Sequence, residues 1–517
     1  MYAIFKRLRF ALAFLLCVLI PSHPAGAYSL LTHEQLIDLT WQSSIVPLLL
    51  SRYPTLTPAE IEHARAFAYG GCVIQDIGYY PLGDKFFSDL THYVRSGDFV
   101  VNLFRNAGNA DELAFAVGAL SHYIGDSIGH SDATNLAVPI EFPKLGAKYG
   151  KRVNYAEGEH QHVQTEFAFD IDQIANHRFA PVHYLRHVGL EVPTRQLSLA
   201  FYQTYGLRED FTDTRHHRIN VGAYRFAVHR LIPRVAYATT LLHRHHEPTD
   251  IDNADLQKIT AEIAAVSAQQ DWNSYRKRPG IGTYSLAGLL YIVPKVGFLK
   301  LVAVKGPTPK TESDYVHSVV LSTDALTLAL HRFTPPPTTK PTAAIAAASD
   351  SKKSPAPSDT VPAKPGASQA TPRQSPDRRH PLTNRDLDTG SPVKPAGYRL
   401  TDDTYATLVH RLAATPTAAI PPGIKEDILA YYSDLSLPFA TKELPDAWSA
   451  VQFDLATLQN MPTSTAPEPY PTYGDGDSTP PSPDTVDQTN GKTVPGDASG
   501  SPDEGNGDQK PATTPKP

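Results

Sequence analysis

The stretch Leu113-Ala114-Phe115-Ala116-Val117-Gly118-Ala119-Leu120-Ser121-His122-Tyr123-Ile124-Gly125-Asp126 decides the fold. A helix drawn through it is apolar or small on every side except where His122 and Asp126 project, so it has no solvent face and belongs in an interior. Its two polar residues stand four apart and therefore share one face. An ionised carboxylate buried beside an imidazole costs several kcal/mol unless something pairs with it. Either a His-Asp hydrogen bond or a bound cation can do so. His130, four residues beyond Asp126, adds a third potential ligand and favours the cation.

The same helical character extends outward from this stretch, over residues 28–334. Thr57-Pro58-Ala59-Glu60 combines an N-cap, a proline at the first helical position and a capping-box glutamate, and the helix it opens should stop at Gly70-Gly71. With no long alternating run to suggest strands, the fold class is all-α, built from many helices. Residues 383–460 regain aromatic residues and helical periodicity and are expected to dock on the first region.

Between and beyond these parts the composition changes. Of the 46 prolines, 11 fall in residues 335–381 and 12 in residues 461–517. The 335–382 stretch, rich in Pro, Ala and Ser, is expected to be a disordered insertion, because it cannot bury enough surface to order itself. Residues 461–517 carry 9 acidic and 3 basic side chains and are expected to be a disordered acidic tail. The tail's net charge equals the formal −6 of the whole chain, so the body is close to neutral. Without a basic excess, bulk electrostatic binding to a nucleic-acid backbone has little support.

Residues 1–27 read as an export signal: Lys6, Arg7 and Arg9, an apolar run from Phe10 to Ile20, then Ala25-Gly26-Ala27 as a cleavage site. Eleven apolar residues are too few for a bilayer span, which needs about 20. Cleavage after Ala27 makes the mature protein secreted or periplasmic and removes Cys17. Cys72, a packing residue by its surroundings, is then the single thiol, and no internal disulfide is possible. A second apolar stretch, Leu286 to Ile292, is expected in the core instead of at a lipid surface, with Pro294 and Gly297 interrupting any regular helix.

Of the 21 histidines, 16 lie between residues 33 and 246. His-x-x-x-Asp/Glu occurs five times, as His122/Asp126, His162/Glu166, His187/Glu191, His243/Glu247 and His246/Asp250. Pro248 breaks the last pair and Gly189 weakens the third. His183, His187 and Glu191 form an alternative metal helix, and His160 is a rival to His162.

The ordered set His33, Asp76, His92, His122, Asp126, His130, His162 and Glu166, with the phrases Gly71-Cys72-Val73-Ile74-Gln75-Asp76-Ile77-Gly78-Tyr79-Tyr80-Pro81 and Leu90-Thr91-His92-Tyr93, resembles the ligand set of bacterial zinc-dependent phospholipases C. Single-strand-specific zinc nucleases share that all-helical scaffold. The resemblance implies three Zn2+ sites. Asp76, His92, His122 and Asp126 would hold the first ion, and His130, His162 and Glu166 the second. The mature amino terminus, Tyr28, with His33 and the other oxygen of Asp126, would hold the third. Tyr28 stands where the family usually has Trp, and His130 follows Asp126 by four residues where the best-known members have six.

The resemblance further implies hydrolysis of the glycerol-phosphate bond of phospholipids by metal-activated water, with Asp76 as the catalytic residue that orients or deprotonates it. The partner is then phospholipid at a membrane or micelle surface, with no nucleic acid and no stable protein partner. A nuclease on the same scaffold and a non-catalytic, metal-stabilised surface protein are the alternatives. Tyr79, Tyr80, Phe86, Phe87 and Tyr93 either line a pocket or pack the core.

Overall fold

A helix without a solvent face needs neighbours all round, and the arrangement of the chain meets that need. The computed structural model describes residues 29–80, 83–209, 211, 215–242, 253–292, 306–333 and 380–464. The 1–27 segment, Tyr28, the His243 and His246 pairs, most of the 335–382 stretch and the tail beyond Ser464 lie outside these residues. Helices dominate. Among the described residues extended pairing is confined to two isolated bridges, Arg385 with Pro392 and Ile420 with Thr463, and the protein is all-α.

The helices that position the site are α1 (Leu30–Thr40), α2 (Pro58–Gly71), α3 (Lys85–Tyr93), α4 (Ser96–Arg105), α5 (Ala110–Gly129) and α6 (Tyr155–Ala175). Outside them lie α7 (Ile232–Leu242), α8 (Ile281–Ile292), α9 (Pro309–Phe333), α10 (Arg399–Ala413), α11 (Ile424–Tyr431) and α12 (Pro445–Asn460). The central α5 is enclosed by α1, α2, α4 and α9. Both helix starts carry side-chain caps: Asn109 accepts from Glu112 N at the start of α5, and Thr57 with Glu60 forms the expected capping box on α2.

Helices α2 and α5 cross with their backbones in contact. A Cβ on Gly71 would lie 2.1 Å from the Phe115 carbonyl oxygen, and one on Gly118 would lie 2.3 Å from that of Ala68. Only glycine permits such an approach. Its consequence for the site is direct, because it brings the Cys72 carbonyl, just past the end of α2, to 3.0 Å from His122 Nδ1.

Residues 380–464 pack onto this core and reach its centre. Tyr123 Oη donates to Thr383 O at 2.6 Å, Leu387 N donates to His92 O at 3.1 Å, and α10 lies against α3. The packed segment extends past 383–460 at both ends. His380 is bound to Asp98, and Met461 is buried with Ser464 N donating to Ile420 O.

His380 belongs to an ion cluster. Its Nδ1 lies 2.9 and 3.0 Å from the two oxygens of Asp98, and its Nε2 lies 3.4 Å from Asp427 Oδ1. Arg95 contacts Asp98 at 3.1 Å and Asp427 at 2.5 Å, so two cations face two carboxylates once His380 is protonated. Arg95 holds a left-handed φ of 50° there, uncommon for a residue with a Cβ. Burial pulls the His380 pKa down, but Asp427 and Asp98 raise it from 6.5 to about 9.

The stretch Leu286 to Ile292 departs from expectation. It forms the second half of a regular helix, α8, and Pro294 and Gly297 lie outside the described residues. Among the described residues α7 packs most closely on it, with Ala287 and Leu290 buried and Leu289, Tyr291 and Ile292 exposed. Most of the stretch is therefore not core, because α7 shields one face of it.

Two outcomes test this packing. Gly118→Ala places a methyl against backbone that cannot rotate away, and should cost about 1–3 kcal/mol by urea unfolding. The His380 ion cluster should add stability that is complete below pH 6.5, the unfolded value, and lost as pH rises through about 9. A melting temperature that falls across that window in the wild type, with a shallower fall in His380→Gln, is the expected result.

Candidate metal centre

Asp126 occupies the middle of the site, on α5, fully buried. Its Oδ1 lies 3.1 Å from His33 Nε2 of α1. Its Oδ2 lies 3.1 Å from His122 Nε2, one turn back on α5, and 3.3 Å from His92 Nε2 of α3. Asp76, in two turns of tighter helix over Ile74–Tyr79, brings Oδ1 to 3.3 Å from His92 Nε2 and 3.9 Å from His122 Nε2. Alone, burial would push the Asp126 carboxyl up, but His122, His33 and His92 outweigh it and hold the group well below the usual carboxylate range. Burial likewise lowers His92, and Asp126 and Asp76 reverse that to a raised pKa.

A second cluster adjoins the first. The chain continues past α5 as a wider turn, His130–Thr134, whose first residue points His130 Nε2 to 3.7 Å from Glu166 Oε1. His162 Nδ1 lies 2.8 Å from the same oxygen, across one turn of α6. Burial first, then repulsion from Asp126 and Asp76, keeps the Glu166 pKa well above that of a free carboxylate. Among the described residues three groups of mutually close donors meet here, His33, His122 and Asp126; Asp76, His92 and His122; His130, His162 and Glu166, and a fourth, Asp98, His380 and Asp427, is the ion cluster already described.

The donors fit a zinc ion by chemistry and by spacing. Ligands bonded at about 2.0–2.1 Å in a tetrahedron stand about 3.3–3.4 Å from one another. The gaps around Asp126 and His92 run from 3.1 to 3.4 Å. Both Asp126 oxygens, Asp76 Oδ1 and His130 Nε2 are buried with no hydrogen-bond partner of acceptable geometry. Polar atoms so placed are costly unless a cation satisfies them.

The far nitrogen of three imidazoles is fixed by backbone carbonyls, which selects the tautomer that leaves Nε2 free for the site. His92 Nδ1 donates to Ser88 O at 2.7 Å, His122 Nδ1 to Cys72 O at 3.0 Å and His130 Nδ1 to Leu387 O at 2.8 Å. His162 is turned the other way, with Nε2 held by Asn135 Oδ1 at 2.8 Å so that Nδ1 faces Glu166. Asn135 donates in turn to the Asp388 carbonyl at 2.8 Å. The Asp388 carboxylate receives Tyr93 Oη at 3.0 Å and Tyr398 Oη at 2.7 Å.

Each sequence-predicted ligand among the described residues enters these groups. His162 is buried in the site while its rival His160 is exposed. The alternative helix does not assemble: His187 is exposed beside Tyr275, and Glu191 pairs with Arg225. Phe86, Phe87 and Tyr93 belong to the buried core with Tyr80 half-buried against it, while Tyr79 is buried with its ring 5.5 Å from that of His92. Asn135, Leu387 and Asp388 carried no legible signal. An asparagine outside any pair pattern and two residues more than 250 positions from His130 become visible only in three dimensions.

Fold and site together define an all-helical scaffold around a polynuclear donor cluster suited to metal ions. Residues 32–210 match the family model described as zinc dependent phospholipase C. That segment, about a third of the chain, contains every member of the three donor groups. No curated protein and no solved structure matches the chain.

Replacing Asn135 frees the His162 ring without touching a donor. Asn135→Ala should weaken zinc retention by about 10–100-fold in competition with a chromogenic chelator, while the far-ultraviolet circular dichroism stays helical.

Proposed function

We propose that the protein is an exported zinc-dependent phospholipase C, hydrolysing phospholipid to diacylglycerol and a phosphorylated head group. The observation that carries this reading is the double engagement of Asp126, whose two oxygens face different imidazoles beside the Glu166 cluster. A phosphodiester needs charge stabilised at both the entering and the leaving oxygen, and adjacent metal sites suit that demand. The match of residues 32–210 to the phospholipase family supports it.

In this reading Asp76, His92, His122 and Asp126 would hold one ion, and His130, His162 and Glu166 a second. His33 and Asp126 would share a third with the amine of Tyr28, which cleavage after Ala27 would free. Bound zinc supplies Lewis acidity toward a phosphodiester oxygen and lowers the pKa of water. Asp76, with Oδ1 turned to His92 and His122, keeps its other oxygen to orient the attacking water and take its proton. The bond from phosphorus to the glycerol oxygen breaks, and that oxygen leaves protonated as diacylglycerol. Glu166 in place of Asp, and the near-neutral body, favour lipid over the single-stranded nucleic acid that a nuclease on this scaffold would take.

Purified mature protein should hold about three zinc ions by elemental analysis and release phosphorylated head group from phosphatidylcholine. Turnover of single-stranded DNA with none of phosphatidylcholine would overturn the phospholipase reading. Asp126→Asn should lose hydrolysis and bound zinc together and melt at a lower temperature, since metal binding stabilises only the folded chain. Unchanged zinc stoichiometry in that variant would remove Asp126 from its bridging role.

A further inference from the structure

Helix α8 has two apolar faces, and the described residues cover one of them. At about 100° per residue, Leu286, Ala287 and Leu290 fall on the side toward α7. Ile281, Tyr284, Gly288, Leu289, Tyr291 and Ile292 fall on the other side, within an arc of roughly 160° whose one polar side chain is Ser285. That outward arc carries no charge, and Ile281, Tyr291 and Ile292 are 87%, 78% and 79% exposed. A helix apolar all round is ordinarily buried, and a contiguous exposed patch of this kind marks an interaction surface.

The chain leading into α8 says what the surface meets. Arg276, Lys277 and Arg278 are exposed, and no acidic residue occurs from there to Ile292. Cations beside an apolar face rich in isoleucine and tyrosine suit a layer with anionic head groups above hydrocarbon, where tyrosine rings sit at the boundary. No described helix, α8 included, is long and apolar enough to cross a membrane, so the contact is a lateral one. Helix α8 rests on α7, and α7 on α6, the helix of His162 and Glu166.

We infer that the outward face of α8, with Lys277 and Arg278, is a docking surface for an anionic phospholipid bilayer, on which the protein lies without spanning it. The inference rests on the phospholipase reading, which makes a bilayer the substrate. Its source is nevertheless a surface outside the matched 32–210 segment.

The test uses the full mature chain and large unilamellar vesicles of phosphatidylcholine and phosphatidylglycerol in a three-to-one mixture. Binding is measured by flotation, and turnover separately on a short-chain phosphatidylcholine below its micelle threshold. Wild-type protein should float with the mixed vesicles and release them as salt is raised. The combined variant Ile281→Ser, Tyr284→Ser, Tyr291→Ser and Ile292→Ser should bind about tenfold or more weakly, with turnover of the monomeric substrate and melting temperature unchanged. Lys277→Ala with Arg278→Ala should lose about fivefold in affinity per cation on the mixed vesicles, and little on pure phosphatidylcholine.

Equal flotation of the serine variant and the wild type would overturn the inference. So would a wild-type dimer in sedimentation that only the serine variant dissociates while failing to change flotation, which would assign the face to a second copy. Turnover of the monomeric substrate without flotation would reject the docking surface and leave the phospholipase reading standing. Flotation that depends on α8, without turnover of any lipid, would support the surface and reject the phospholipase reading.

Discussion

Everything around the centre answers to one carboxylate. Asp126 is fully buried, and burial alone would push its pKa up. Three imidazoles from three helices keep it ionised, which requires α1, α3 and α5 to converge within hydrogen-bonding distance of one side chain. That convergence is possible because α2 and α5 touch backbone to backbone at Gly71 and Gly118, which makes room for α5 at the middle of the bundle. The apolar face of α5 supplies the burial energy and its two polar residues set the chemistry.

The imidazoles are held from behind largely by backbone. Ser88, Cys72 and Leu387 each offer a carbonyl to one ring. Such an acceptor is fixed by the course of the chain, so the ring orientation depends on how the segments pack. The Leu387 carbonyl comes from the packed 380–464 segment, beyond the matched 32–210 stretch. That segment is therefore part of the centre's support, and its ion cluster at Arg95, Asp98, His380 and Asp427 ties it to α4 where the chain enters the site from α3.

The molecule departs from the usual partition of polar and apolar groups in two opposite ways. Its interior gathers carboxylates and imidazoles beyond what they can satisfy among themselves, and its surface at α8 shows isoleucine and tyrosine to solvent. Ordinary folding favours neither arrangement, since buried charge and exposed apolar surface each cost free energy. Each is relieved by something from outside the chain. For the first that would be a cation, for the second, in the docking we infer, an apolar phase.

The sequence by itself determined the all-helical class, the burial of the 113–126 helix and the donor types, because helical periodicity and residue chemistry are local properties. It also separated His122/Asp126 from the weaker pairs by the apolar residues around it. Three things were decided only by tertiary structure. His162 enters the site and His160 does not, since which side of α6 faces the His130–Thr134 turn depends on packing. Asn135, Leu387 and Asp388 orient the rings through contacts spanning up to 257 positions, which no local pattern records. The outer face of α8 is exposed because, among the described residues, α7 packs on the opposite face, and a run of apolar residues does not record which of its faces a neighbour meets.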